Sequence, residues 1–390
     1  MKQKQTIRKR LLYSAIAVIL LLVGIMGFGA DYMLRYACEP SIEHTHNLDT
    51  AYAQVYGAYP ELKPWHDSLV AAGLWRDTTI VAHDGTHRHI IILEHRSNAD
   101  GASIGRGSQS LSHQKAAQTA AHGASIDGKP QSQEQQTGSQ AAAHGASIDG
   151  KSQSQEQQTG SQAVPAGATL VVHGYGDNAV RMMRYVYLHY EVLGRNVVVP
   201  DLYGHGLSDG DHIRFGWLDS EDCAEDYLPL THRLWPQLNI VQHGLSMGGA
   251  TTMMTAGREI ADSLRVVSFI EDCGYSSTWD QLQYQLREEF SLPAFPMLYV
   301  ANALCQWRYG WDMRESSAVA QLAKSKLPVF FIHGAKDTYV PTAMVRRNYD
   351  AKTVGRKQLW IVPQAEHAQS IHLHWDEYCQ RVKAWLIATE

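Results

Sequence analysis

Short apolar runs alternate with helix-compatible segments from residue 168 to residue 363, and this alternation limits the fold of the chain more than any other feature. Thr169-Leu170-Val171-Val172-His173-Gly174, Asn196-Val197-Val198-Val199-Pro200-Asp201, Asn239-Ile240-Val241 and Val266-Val267-Ser268-Phe269-Ile270 read as strands. Two more follow, Pro328-Val329-Phe330-Phe331-Ile332-His333-Gly334 and Gln358-Leu359-Trp360-Ile361-Val362-Pro363. Residues 178–193 and 219–234 read as helices between the earlier strands. Strands apolar at nearly every position are buried on both faces. The pattern therefore predicts an α/β fold, a mostly parallel sheet with helices on both sides. Upstream, residues 78–82, the turn His83-Asp84-Gly85-Thr86 and residues 88–95 predict a hairpin, and residues 64–69 a short helix. In such sheets reactive groups gather at the carboxyl ends of the strands.

One of those ends carries Gly244-Leu245-Ser246-Met247-Gly248, with an apolar strand before it and small, helix-compatible residues after it. Gly-x-Ser-x-Gly alone is moderately specific, and the strand-to-helix context is what the motif requires. A serine hydroxyl attacks only if the chain lifts it out of the sheet and places a base, an orienting acid and oxyanion donors around it. The acid candidate is Asp337, just past the Phe-Phe-Ile-His-Gly strand, with Asp272 as the alternative. The base candidate is His367, after the last strand, ahead of His372 and His374. The order Ser…Asp…His favours this set, whereas His243, inside the strand, reads as structural. For the oxyanion hole the candidate donors are the backbone N–H of Met247 and of Tyr175, the latter in a loop that Gly174 and Gly176 let approach closely.

The rest of the chain frames that site. Lys2, Lys4, Arg8, Lys9 and Arg10 precede an uncharged apolar run at 11–30, long enough to span a bilayer as a helix. The cationic flank predicts an uncleaved anchor, with the tail 1–10 in the cytoplasm and the remainder outside. A membrane-proximal segment at 31–77 leads to a domain at 78–390. Residues 97–163 interrupt that domain with Gln, Ser, Gly, Ala and Thr, and Ala-Ala-His-Gly-Ala-Ser-Ile-Asp-Gly-Lys recurs from Ala120 and Ala142. With one sizeable apolar residue per repeat (Ile126, Ile148), this insertion is expected to be disordered. A second interruption at 276–326 is rich in aromatics, including Trp279, Tyr284, Phe290, Phe295, Tyr299 and Trp307, and predicts a helical cap over the site. A net charge of −5 gives no nucleic-acid footprint. The five cysteines form no framework, although Cys223/Cys273 and Cys305/Cys379 are available to pair in an exported domain. His44/His46, His87/His89 and His372/His374 lack ligand companions, so no metal is expected.

His173-Gly174-Tyr175-Gly176, the run Pro200-Asp201-Leu202-Tyr203-Gly204-His205-Gly206-Leu207-Ser208, the Ser246 elbow, Asp337 and His367 together resemble an α/β-hydrolase from about residue 78 to the C-terminus, the repeats excepted. Phe215-Gly216-Trp217-Leu218-Asp219 and Glu271-Asp272-Cys273-Gly274-Tyr275 further resemble bacterial membrane-anchored hydrolases of the serine aminopeptidase and monoacylglycerol-lipase-like branch. The resemblance implies a Ser246/Asp337/His367 triad, an ester, thioester or amide substrate, and no cofactor. The aromatic cap favours a small-molecule acyl ester. An aminopeptidase or amidase would need an acidic anchor for the substrate amine, with Glu288, Glu289 and Asp312 as candidates. An acyltransferase, a silent binding module and a display role for the repeats are the remaining readings.

Overall fold

The computed structural model describes residues 2–39, 46–95 and 167–390. The repeat insertion expected at 97–163 lies outside them, as does His44. Helix α1 (Lys2–Cys38) is continuous. It is exposed from Arg10 to Ile25, then turns Ala30, Leu34 and Cys38, four residues apart and hence on one face, into the core. The apolar helix that could cross a membrane thus continues without a break into the globular domain.

Helix α2 (Leu48–Ala58) was not legible as a helix, yet it has a start signal: the Asn47 side chain accepts from the Thr50 N–H at 3.0 Å. Helix α3 (Leu62–Ala71) follows. Strands β1 (Trp75–Val81) and β2 (His87–Leu93) form the expected antiparallel hairpin. Next come β3 (Gly167–Val172), α4 (Met183–Tyr187) and β4 (Asn196–Pro200). The single helix expected at 178–193 is instead a 3₁₀ turn, α4 and a π turn (Leu188–Val192), and the π turn carries His189 into the core. Helices α5 (Asp219–Asp222) and α6 (Leu228–Leu234), separated by another π turn, precede β5 (Asn239–Leu245) and α7 (Met247–Thr255).

After β6 (Val266–Asp272) the chain leaves the sheet as α8 (Thr278–Phe290), α9 (Met297–Tyr309) and α10 (Ala318–Leu322). The two feet of this excursion are pinned together by a bridge between Ser277 and Ser317 and by a 2.6 Å contact between the Thr278 and Ser316 hydroxyls. Strand β7 (Val329–Gly334), α11 (Ala343–Ala351), β8 (Lys357–Val362), α12 (Ser370–Leu373) and α13 (Trp375–Thr389) complete the domain. Among the described residues the strands form one sheet in the order β1-β2-β4-β3-β5-β6-β7-β8, parallel from β4 through β8. Alternate residues feed two cores: Ile90, Ile92, Leu170 and Val172 on one face, Ile91, Leu93 and Val171 on the other.

The antiparallel edge is tied to the loop after β4 by a buried pair. His89 Nδ1 lies 2.8 Å from Asp201 Oδ2, and Nε2 lies 3.2 Å from Asp77. Asp201 also accepts from the N–H groups of Ala179 and Leu207. Burial works against a charge on His89, but Asp201 and Asp77 outweigh it and push the imidazole up to about 9. A folded pKa above the unfolded one gives stability that is complete below about 6.5 and lost as pH rises through about 9. The melting-temperature gap between wild type and His89→Gln is therefore expected to narrow across that window. A gap independent of pH would assign the contact no ionic character.

Candidate active site

The elbow holds Ser246 at φ 56° and ψ −116°, a region that side chains avoid and that costs about 1–3 kcal/mol. The neighbours impose it. The Ser246 N–H donates to the Asp272 carbonyl at 2.7 Å, and the Ala250 N–H donates to the Ser246 carbonyl at 2.9 Å. Glycine is required on either side: a Cβ on Gly244 would run into the Gly248 carbonyl, and one on Gly248 into the Val172 carbonyl. The turn is therefore wedged between the ends of β3 and β6 and presents its hydroxyl beyond the sheet.

The loops after β7 and β8 bring two side chains to that hydroxyl. Ser246 Oγ is 2.9 Å from His367 Nε2, and His367 Nδ1 is 2.8 Å from Asp337 Oδ2. The other Asp337 oxygen accepts from the N–H groups of Tyr339 and Val340 at 3.0 and 2.8 Å. Burial raises the Asp337 pKa, but contacts with His333 and His367 reverse the effect and bring it down to about 2, so the group is a carboxylate. With Asp337 accepting a hydrogen bond from Nδ1–H, Nε2 is left with its lone pair facing the serine hydroxyl.

Met247 opens α7 directly after the serine, and the Tyr175 loop closes on it: a Cβ on Gly174 would stand 3.4 Å from the Ser246 Cβ. Among the described residues neither the Met247 nor the Tyr175 N–H donates a hydrogen bond. The walls are aromatic. The Tyr339 ring lies 4.9 Å from that of His367, and Tyr175 lies 5.6 Å from Phe215. Helix α8 is strapped to the acid's loop, with Gln281 donating to the Tyr339 carbonyl and Tyr284 to the Thr338 carbonyl. Helix α1 also reaches the site, since the Tyr175 hydroxyl donates to the Ala37 carbonyl at 2.9 Å.

The competing candidates are placed elsewhere. Asp272 accepts from the Tyr378 and Tyr185 hydroxyls at 3.0 and 3.1 Å, and burial pushes it up to about 6. His243 is structural: its ring nitrogens meet His189 and Tyr378, and burial holds it down at about 3. His372 packs on Tyr59, and His374 meets the Pro363 carbonyl. Asp312 is held by Arg314 and Asn302, while Glu288 and Glu289 are exposed. Sequence reasoning missed His333, whose only signal was its place four residues before Asp337, and Cys273. The five cysteines are free, so neither available pair is formed. Cys273, Asp337 and His367 offer ligand atoms within 4.8 Å of one another, but burial raises the thiol well above its ordinary value and leaves it a protonated, poor ligand. His83, Asp222 and Asp226 are similarly grouped, with Asp222 already paired to Arg88 and Arg214.

The sequence profile described as the alpha/beta hydrolase family matches residues 169–381. The uncharacterized protein YqkD of Bacillus subtilis is 32% identical over 217 residues, 56% of this chain and 70% of that protein. The uncharacterized membrane protein YNL320W of Saccharomyces cerevisiae is 24% identical over 186 residues, 47% of this chain and 58% of that protein. Among solved structures, the Pyrococcus furiosus esterase Pf2001 superposes with a TM-score of 0.51 at 15% identity, covering 81% of this chain and 91% of that one, a likeness of fold.

The wedge is open to direct measurement. Gly248→Ala is expected to lower stability by about 1–3 kcal/mol through overpacking against the Val172 carbonyl. Gly57→Ala, in α2 with nothing near its added methyl, is expected to be neutral or stabilising by about 0.5–1 kcal/mol. Denaturant midpoints of the two variants compare them, and equal effects would remove the steric argument.

Proposed function

The chain belongs to the alpha/beta hydrolase family, and on that premise we propose that it is a membrane-anchored serine hydrolase that cleaves an acyl ester through an acyl-enzyme. The line from Ser246 Oγ to His367 Nε2 and from His367 Nδ1 to Asp337, at 2.9 and 2.8 Å, is the observation that carries the reading.

Ser246 Oγ attacks the carbonyl carbon while its proton passes to His367 Nε2. The carbonyl electron pair moves onto oxygen, where the N–H groups of Met247 and Tyr175 receive it. Collapse breaks the ester C–O bond, and His367 returns the proton to the departing alkoxide, releasing an alcohol. Water then repeats the sequence on the acyl-enzyme, giving a carboxylate and free Ser246. Asp337 fixes the tautomer and stabilises the imidazolium, and its low pKa keeps it ionised throughout. No metal or cofactor enters this cycle. The apolar part of α1, with its cationic N-terminal flank, would anchor the enzyme and leave the catalytic domain on the extracytoplasmic side.

Ester cleavage fits better than aminopeptidase action because Asp312 is committed to Arg314 and Asn302. Glu289, which accepts from the Tyr36 hydroxyl at 3.5 Å and whose charge adds to burial in raising the Tyr339 phenol, is the acid that supports the second reading. Fluorophosphonate labelling of the wild type is expected to vanish in Ser246→Ala, and Asp337→Asn is expected to lower kcat on p-nitrophenyl esters by about 10⁴-fold. Esters are expected to outpace aminoacyl anilides, with Glu289→Gln leaving ester turnover unaltered. Anilide turnover that is preferred and lost in Glu289→Gln would move the assignment to the peptidase, and folded wild type without labelling would contradict both.

A further inference from the structure

We propose that the start of cap helix α9, where Phe295 and Tyr299 are exposed, is seated in the headgroup layer of the same bilayer that α1 enters, so that the domain touches the membrane at a second point beside its candidate active site. The inference rests on the reading of α1 as a membrane anchor.

Helix α9 is amphipathic in an unusual sense. Its inner face buries Leu298, Ala301, Asn302 and Cys305 against the domain. Its outer face, beginning just before the helix, carries Phe295, Tyr299, Ala303 and Trp307 at intervals of four, one continuous stripe. The three aromatics are 70%, 49% and 78% exposed. Scattered exposed apolar residues need no explanation, but a row of aromatics on one helix face marks a contact surface.

The position of the stripe selects the occupant. Helix α9 is fastened to α1 at both ends. At its start, a Cβ on Gly29 would sit 3.1 Å from Met297 Cε. At its end, Arg308 pairs with Asp31, and the Tyr309 hydroxyl donates to Glu39 at 2.6 Å. Gly29 belongs to the final turn of the apolar run 11–30, so Phe295, two residues from Met297, stands level with the point where α1 leaves the hydrocarbon. Phe28 and Tyr32, exposed on α1 at the same height, continue the aromatic rim. Glu39 is about 15 Å beyond Gly29 along α1, so α9 climbs away from the boundary, and Phe295 and Tyr299 at its start are the rings that reach it. Aromatic side chains favour that boundary. The Phe290 ring at the end of α8 meets Tyr36 edge-on at 5.6 Å, and Ala37 accepts from Tyr175, so α1 borders the candidate site about two turns past that boundary.

Depth-dependent quenching tests this in the full-length protein reconstituted into phosphatidylcholine–phosphatidylglycerol vesicles. Phe295→Cys and Tyr299→Cys carry an environment-sensitive fluorophore, and lipids doxylated near the headgroup are the quencher. Val354→Cys, exposed at the amino ends of the parallel strands and so on the opposite end of the sheet, is the control. Val18→Cys, in the apolar run, reports α1 itself against mid-chain doxyl lipids. The wild type, with its five free cysteines, sets the background, and retained fluorophosphonate labelling shows that each variant is folded. Loss of emission at 295 and 299, blue-shifted relative to 354, with quenching at 18, is the expected result. Quenching at 18 with 295 and 299 behaving like 354 would overturn the docking and leave the anchor intact. No quenching at 18 would instead remove the anchor and the docking with it. Shielding of 295 that ignores the doxyl lipids and yields 295–295 cross-links would replace the bilayer with a second copy of the chain and refute the proposal.

Discussion

The hydrogen bond from the Ser246 N–H to the Asp272 carbonyl, 2.7 Å long, joins the strained elbow to the end of the neighbouring strand, and the geometry of the candidate site depends on it. A serine at φ 56° would relax if it were free to do so. It is held from below by β6 through this bond and from the side by β3, whose Val172 carbonyl leaves no room for a side chain on Gly248. The strain is thus offset by the packing of three central, largely buried strands, which fix the hydroxyl in place in advance.

Behind the elbow the interior is polar and connected. Thr169, His189, His243, Tyr378 and Asp272 form a chain of hydrogen bonds through the middle of the sheet, with Tyr185 meeting the same carboxyl. Burial keeps both imidazoles neutral, since His189 is pushed well below its ordinary value and His243 to about 3. These bonds tie the five side chains to one another, and the other Asp272 oxygen is buried without a hydrogen-bond partner among the described residues. The chain of bonds ends on the residue whose carbonyl holds Ser246, so core order and site order are one property. Asp272 and Asp337 show how environment separates two strand-end acids. Asp272 is raised by burial, which its two phenol partners oppose only in part, while Asp337 has two imidazoles and two backbone N–H groups that outweigh its burial and lower it.

The parallel sheet was legible because its strands are apolar at nearly every position, and Ser246, Asp337 and His367 were legible because each lies just past the carboxyl end of such a strand. Local pattern did not reveal the π turn at 188–192, which exists to point His189 inward, a tertiary demand that overrides helical spacing. Helix α2 was obscured by prolines downstream of it, although Asn47 marked its start. Nor could sequence show that Cys273 flanks Asp337, or that α1 runs past residue 30 to meet Tyr175, because those contacts join residues far apart in the chain. Through that last contact α1 borders the candidate site, and its Ala30, Leu34 and Cys38 are part of the same core as Met247.

The account stands on a covalent bond between substrate and Ser246. Acid-quenching the full-length enzyme during turnover of a p-nitrophenyl ester, then mapping its peptides by mass spectrometry, reads that bond directly. The account predicts one acyl mass increment, confined to the peptide that carries Ser246, appearing with the first equivalent of p-nitrophenol and absent from Ser246→Ala. Turnover with no adduct, or with the acyl group on another residue, would contradict it.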